Sequence, residues 1–174
     1  MELKKTLIAA IVAFALVGAG MYYLYGGNLP GSQTGTLQIS AADAGISGVN
    51  AVYITFSNVS AHSNTSGWQN ITLKPVTINI LGVTMSNPTF LNNITLKAGK
   101  YTQFRFYITS VHAVISGINT TIPMNAQFAF LTHPINITAG STVHLVIEFN
   151  LTTDLQITPG QYMFTPKIGT ISVS

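Results

Sequence analysis

From residue 36 onward the chain alternates between apolar and polar positions. Thr36 to Ser40 (TLQIS) sets Leu37 and Ile39 against polar neighbours. Val52 to Val59 sets Val52, Ile54 and Phe56 against Tyr53, Thr55 and Ser57. A period of two is what a β-strand needs when one face meets the core and the other meets water. The longest run, Tyr101 to Ile115, carries Phe104, Phe106 and Ile108 on one face and Gln103, Arg105, Tyr107 and Thr109 on the other. Thr142 to Leu151 turns Val143, Leu145, Ile147, Phe149 and Leu151 inward and His144, Glu148 and Asn150 outward. Shorter extended runs fall at 71–73, 76–81, 90–96, 118–122, 127–137, 162–165 and 168–173. A polar loop at Ser63–Gln69, a turn-rich Gly82–Pro88 and breaks at Pro75 and Pro123 punctuate them. No helical periodicity occurs past residue 35. About nine short strands with Gly, Pro and Asn turns predict an all-β domain, an antiparallel β-sandwich of Ig-like or transthyretin-like type.

Two segments echo each other. NITLKAGKYTQFRF (93–106) and NITAGSTVHLVIEF (136–149) each run from an Asn-X-Thr signal through an Ala-Gly turn into a long alternating strand. Glycine at such a turn tolerates positive φ.

The first 25 residues follow another pattern. Lys4 and Lys5 precede an uncharged stretch, of which Leu7 to Tyr25 covers 19 residues. That is about the length of a membrane-crossing helix. Lysines ahead of the stretch predict a cytoplasmic N-terminus and an exported remainder. Two fates stay open. Either residues 1–25 remain as a transmembrane anchor, with Tyr22, Tyr23 and Tyr25 at the outer interface, or they are a signal segment cleaved near Gly20. GGNLPGSQTG (26–35) then reads as a flexible linker, and 36–174 as the folded domain.

Composition sharpens this. Charged residues are only 6% of the chain against 47% hydrophobic, so disorder is excluded and a neutral polar surface is implied. The few bases form no cluster, which excludes nucleic acid as a partner. The chain has no cysteine, which removes disulfides, thiolate metal sites and thiol catalysis. Asn-X-Ser/Thr signals occur at Asn58, Asn64, Asn70, Asn93, Asn119, Asn136 and Asn150. Roughly two or three would arise by chance at this composition. Together with the export signal, the excess predicts an N-glycosylated surface protein. Sparse charge under glycans fits an archaeal cell surface.

Five segments carry a family resemblance: GTLQISAADA (35–44), AVYITFSNVSAH (51–62) followed by Trp68, LKAGKYTQFRFYI (96–108), ITAGSTVHLVIEFNL (137–151) and QYMFTPKI (161–168). In this order they resemble domain-of-unknown-function family 4382. The resemblance implies a secreted or lipid-anchored surface domain of archaea or bacteria, over roughly residues 35–172. The chain departs from the family's pattern at Gly45, where the family usually has proline, and at Glu148 and Asn150, where it tends to have two aspartates.

No catalytic constellation emerges. There is no Gly-X-Ser-X-Gly elbow. Past residue 26 the only acids are Asp43, Glu148 and Asp154, too few to suggest a carboxylate pair for glycoside hydrolysis. His62, His112, His133 and His144 are scattered, and no phosphate-cradling glycine loop exists. The chain therefore reads as a non-enzyme without cofactor or metal. Trp68 is either a sugar-stacking platform or a hairpin-packing aromatic. Arg105, the sole arginine, is expected to form a structural ion pair with Asp43 or Glu148, because a bidentate partner explains arginine in place of lysine. The leading functional expectation is a membrane-tethered, extracytoplasmic structural or interaction module. Its partners would be the membrane, other surface proteins, further copies of itself, or glycans. The alternatives are a donor-strand filament subunit and a carbohydrate-binding domain.

Overall fold

The computed structural model describes residues 33–158 and 160–174. The predicted anchor (1–25) and most of the predicted linker lie outside the described residues. Among the described residues no helix is long and apolar enough to cross a membrane.

The domain is all-β, and the alternating runs become its strands. In chain order these are β1 (Thr34–Asp43), β2 (Ala51–Ser63), β3 (Gly67–Asn79), β4 (Thr89–Lys97), β5 (Gly99–Ile115), β6 (Ile118–Thr121), β7 (Phe128–Ile137) and β8 (Thr142–Phe149). A single helical turn, α1 (Leu151–Asp154), then leads to β9 (Leu155–Thr158), β10 (Gln161–Phe164) and β11 (Ile168–Val173). One sheet has the order β11-β8-β1-β4. The other has the order β3-β2-β5-β6, with β7 also paired to β5. β9 and β10 form a two-stranded ribbon. The two larger sheets contribute to one hydrophobic core, with Leu37, Ile39 and Phe149 from the first and Ile54, Phe104 and Phe106 from the second. Phe56 of β2 and Phe149 of β8 meet across it, ring centroids 6.0 Å apart.

Among the named strands pairing is antiparallel with one exception: β1 and β8 run parallel, Thr36 opposite Thr142 through Asp43 opposite Phe149. Alternation fixes which face of a strand is buried but not which strand lies beside it. β1 is therefore an inner strand, antiparallel to β4 on one edge and parallel to β8 on the other.

Pro75 sits where the ladder is already irregular. Pro75 does not end a strand; β3 runs through it. Phe56 pairs with Val76 and Asn58 with Thr72, so Leu73, Lys74 and Pro75 stand against Ser57 alone. A missing N–H costs nothing at a bulge on an edge strand, and β3 is the edge. Irregularities in β5 explain a phase change in its burial. Tyr101 and Phe104 are both buried, as are Ile108 and Val111. Thr102 and Thr109 are skipped in the register with β2, which resets the inward face each time.

The repeated Ala-Gly units are corners between the sheets. The first carries the chain from β4 in one sheet to β5 in the other; the second carries it from β7 back to β8. In the second corner Gly140 adopts φ 73°, a conformation that costs other residues about 1–2 kcal/mol. Its N–H donates to the Thr34 carbonyl (2.9 Å), and the Thr36 N–H donates to the Ser141 carbonyl (2.8 Å). Thr34 and Gly35, predicted as linker, therefore already belong to β1. Gly35 packs so tightly on this corner that an added Cβ would lie 2.8 Å from Ile137 Cγ2 and against the Thr138 carbonyl oxygen.

Candidate functional site

The outer face of the five-stranded sheet is a regular grid. In register across β3, β2, β5 and β7, the first row is Trp68, His62, Gln103 and Thr132. The second is Asn70, Ser60, Arg105 and Phe130, and the third is Thr72, Asn58, Tyr107 and Phe128. Alternation places these residues opposite the core-facing Phe104 and Phe106. The face is unusually aromatic for one turned away from the core, and Phe130 is 43% exposed.

Arg105 organises it. Its guanidinium carbon lies 4.0 Å from the Trp68 ring centroid and 5.2 Å from that of Phe128. His62 packs on the far side of the cluster, 5.2 Å from Trp68, and Tyr107 meets Phe128 at 5.5 Å. A planar, weakly hydrated guanidinium suits such stacking. Arg105 Nε is buried without a hydrogen-bond partner. Beneath these rings Ser60, 1% exposed, donates its hydroxyl to Asn70 Oδ1 at 2.6 Å.

The expected ion pair does not form. Among the described residues no ion pair reaches Arg105. Asp43 (β1) and Glu148 (β8) belong to the other sheet, while Arg105 points to the outer side of its own. Asp43 is buried instead, and its Oδ1 accepts the Leu151 N–H at 3.4 Å. It holds the start of α1, where an acceptor satisfies an orphan helix N–H. Glu148 is half-buried on β8. Only directions were legible in the sequence: Arg105 falls on an outward position and Phe128 and Phe130 alternate with the smaller Ala129, while Trp68 lay in a predicted loop.

The predicted glycosylation asparagines are spread over the surface. Asn64, Asn70, Asn93, Asn119 and Asn136 are exposed. Asn58 and Asn150 are half-buried, and Asn150 Oδ1 is enclosed without a partner. Asn58–Ser60 and Asn70–Thr72 oppose one another in antiparallel register, Asn58 against Thr72 and Ser60 against Asn70. Together with Tyr107 they line a surface depression of about 340 Å³.

Chemistry elsewhere is sparse. A depression of about 750 Å³ between residues 46–48 and the α1–β9 segment is lined by no ionisable side chain. The described residues hold no group of three or more His, Cys, Asp or Glu that could bind a metal. Asp154, like Asp43, is an acid enclosed by the fold. It is buried, with Thr153 Oγ1 donating to Oδ1 at 3.1 Å and Oδ2 unpartnered. Burial pushes its carboxyl above the usual range, and the Thr153 hydroxyl, the nearby backbone amides and Lys167 pull only partly against it. A carboxyl raised by folding contributes stability that is complete below the unfolded value, near 3.9, and is lost as pH rises through the folded one. Asp154→Asn is therefore expected to raise the melting temperature at pH 7 relative to the parent, with the gain vanishing toward pH 3. A pH-independent offset in thermal unfolding would contradict this.

A family model described as domain of unknown function (DUF4382) matches residues 34–166. No curated protein and no solved structure matches the chain.

Proposed function

The chain belongs to the domain-of-unknown-function family 4382, and on that premise we propose that it is a non-enzymatic, exported, membrane-tethered and N-glycosylated surface domain. Its two sheets on one core make a β-sandwich of Ig-like or transthyretin-like type, serving as a structural or interaction module. The observation that carries this reading is the outer face built around Arg105. An arginine that no acid among the described residues reaches, stacked on Trp68 and Phe128 with Tyr107 packed on Phe128, has the composition of a contact surface.

Export and modification are tested together on native material. Surface labelling of intact cells is expected to tag the domain. Glycopeptide mass spectrometry is expected to find sugar on exposed asparagines such as Asn64, Asn93 and Asn136, and none on Asn150, whose amide oxygen is enclosed. Seven unmodified asparagines in a labelled protein would remove glycosylation from the proposal; failure to label would remove surface display.

One observation favours a second reading, carbohydrate binding. The stacked Trp68–Arg105 pair offers an aromatic plane beside guanidinium donors, a combination that suits a sugar ring. A glycan array would then give binding that Trp68→Ala abolishes while circular dichroism stays unchanged.

A further inference from the structure

Two complete acceptor signals, aligned in opposite directions and sharing one depression with a tyrosine, are an arrangement that glycosylation alone does not require. We infer that the glycan carried by Asn70 seats on the outer face of the five-stranded sheet, with its first sugar in the depression against Tyr107 and beside Trp68, and that Asn58 stays bare. This rests on the reading of the chain as exported and N-glycosylated.

The two asparagines are not equivalent. Asn70 lies on β3, the edge strand, and is exposed; Asn58 lies on β2, between β3 and β5, and is half-buried. The hydroxyl that completes the Asn58 signal belongs to Ser60, which is buried and donates to Asn70 Oδ1. The hydroxyl that completes the Asn70 signal belongs to the exposed Thr72. Asn58 stands directly opposite Thr72 and Asn70 opposite Ser60, so the two side chains are diagonal neighbours, roughly 7–8 Å apart in a sheet. Two glycans starting that close on one face would collide.

The chemistry at Asn70 preserves the fold. A bond forms between Asn70 Nδ2 and the anomeric carbon of a lipid-phosphate-linked oligosaccharide. The amide loses one proton, and the lipid phosphate leaves with the electron pair of the broken carbon–oxygen bond. Asn70 Oδ1 is untouched, so it continues to accept from Ser60. The sugar starts beside a depression of about 340 Å³ lined by Ser60, Ile71, Thr72 and Tyr107, at the small end of ligand-pocket sizes, roughly 300–1,000 Å³. Tyr107 in the depression offers its ring to the apolar side of a pyranose, with Trp68 one row away on β3, and the exposed Thr72 offers a hydroxyl near its polar rim.

Trp68 is the only tryptophan in the chain, so its fluorescence reports this face alone. The test uses the full-length protein from its native membrane, before and after enzymatic release of N-glycans, with glycopeptide mass spectrometry on the same sample. Asn70 is expected to be occupied and Asn58 bare, and acrylamide quenching of Trp68 is expected to rise about twofold on sugar release. Thr72→Ala, which destroys the signal but keeps the Asn70–Ser60 hydrogen bond, should give the raised quenching without enzyme. Asn93→Gln, on the other sheet, should leave quenching at the parent level. If Asn70 is occupied and quenching does not change, the seating is overturned while glycosylation stands. If no asparagine is modified, the glycosylation reading itself fails. Sugar on Asn58 with Asn70 bare also overturns the inference.

Discussion

Replacing Phe149 by alanine is expected to destabilise the domain by about 3–5 kcal/mol. Phe149 is fully buried at the end of β8 and touches Phe56 of the opposing sheet and Phe164 of the β9–β10 ribbon, at centroid separations of 6.0 and 6.3 Å. Its removal would open a cavity where three elements meet, and none of them can collapse into it without breaking its own ladder. At about 2–4 °C per kcal/mol for a domain of this size, the melting temperature should fall by roughly 10 °C or more. Phe149→Leu, which keeps most of the volume, should lose much less. Equal and small losses for both variants, measured by thermal unfolding at pH 7, would show that the two sheets do not share this core.

The second large effect belongs to Gly35. Gly35→Val is expected to cost about 1–3 kcal/mol by overpacking alone, and more if the clash unseats the start of β1. The added carbon would run into the Thr138 carbonyl and Ile137 Cγ2, and a carbonyl held in a corner cannot swing aside as a long side chain does. Gly140→Ala is the informative contrast. At Gly140 space is open and only the positive φ objects, so its cost should stay near about 1 kcal/mol. Chemical denaturation of both variants separates the two causes. A Gly35→Val domain as stable as the parent would mean that β1 begins later than Thr34.

These two residues mark the limits of what the chain discloses by pattern. Phe149 was legible as an inward position because its alternation with Glu148 and Asn150 is regular. Gly35 was not, because a glycine needed for close approach looks like a glycine in a linker. Pro75 misled for a related reason: proline reads as a break until a bulge on an edge strand is seen to absorb it. The parallel partnership of β1 and β8 left no trace in local sequence, since residues more than a hundred positions apart meet there. Arg105 shows the same gap at the surface. Its outward direction followed from Phe104 and Phe106, but its neighbours depend on which strands flank β5. Asp43 and Glu148 could pair with it only from its own sheet, and β1 and β8 lie in the other. Leu155 to Thr158 and the preceding turn are too short to carry a period and were passed over.

β1 gives the domain a mechanical character. A pull applied ahead of Thr34 would reach the domain through a strand hydrogen-bonded along both edges. A force along its axis does not peel contacts one at a time. It loads the β4 and β8 ladders together in shear, and many bonds must fail in the same moment. The corner at Ser141 and Gly140 grips the point where that force arrives. Such a join yields abruptly at high load and resists steadily below it.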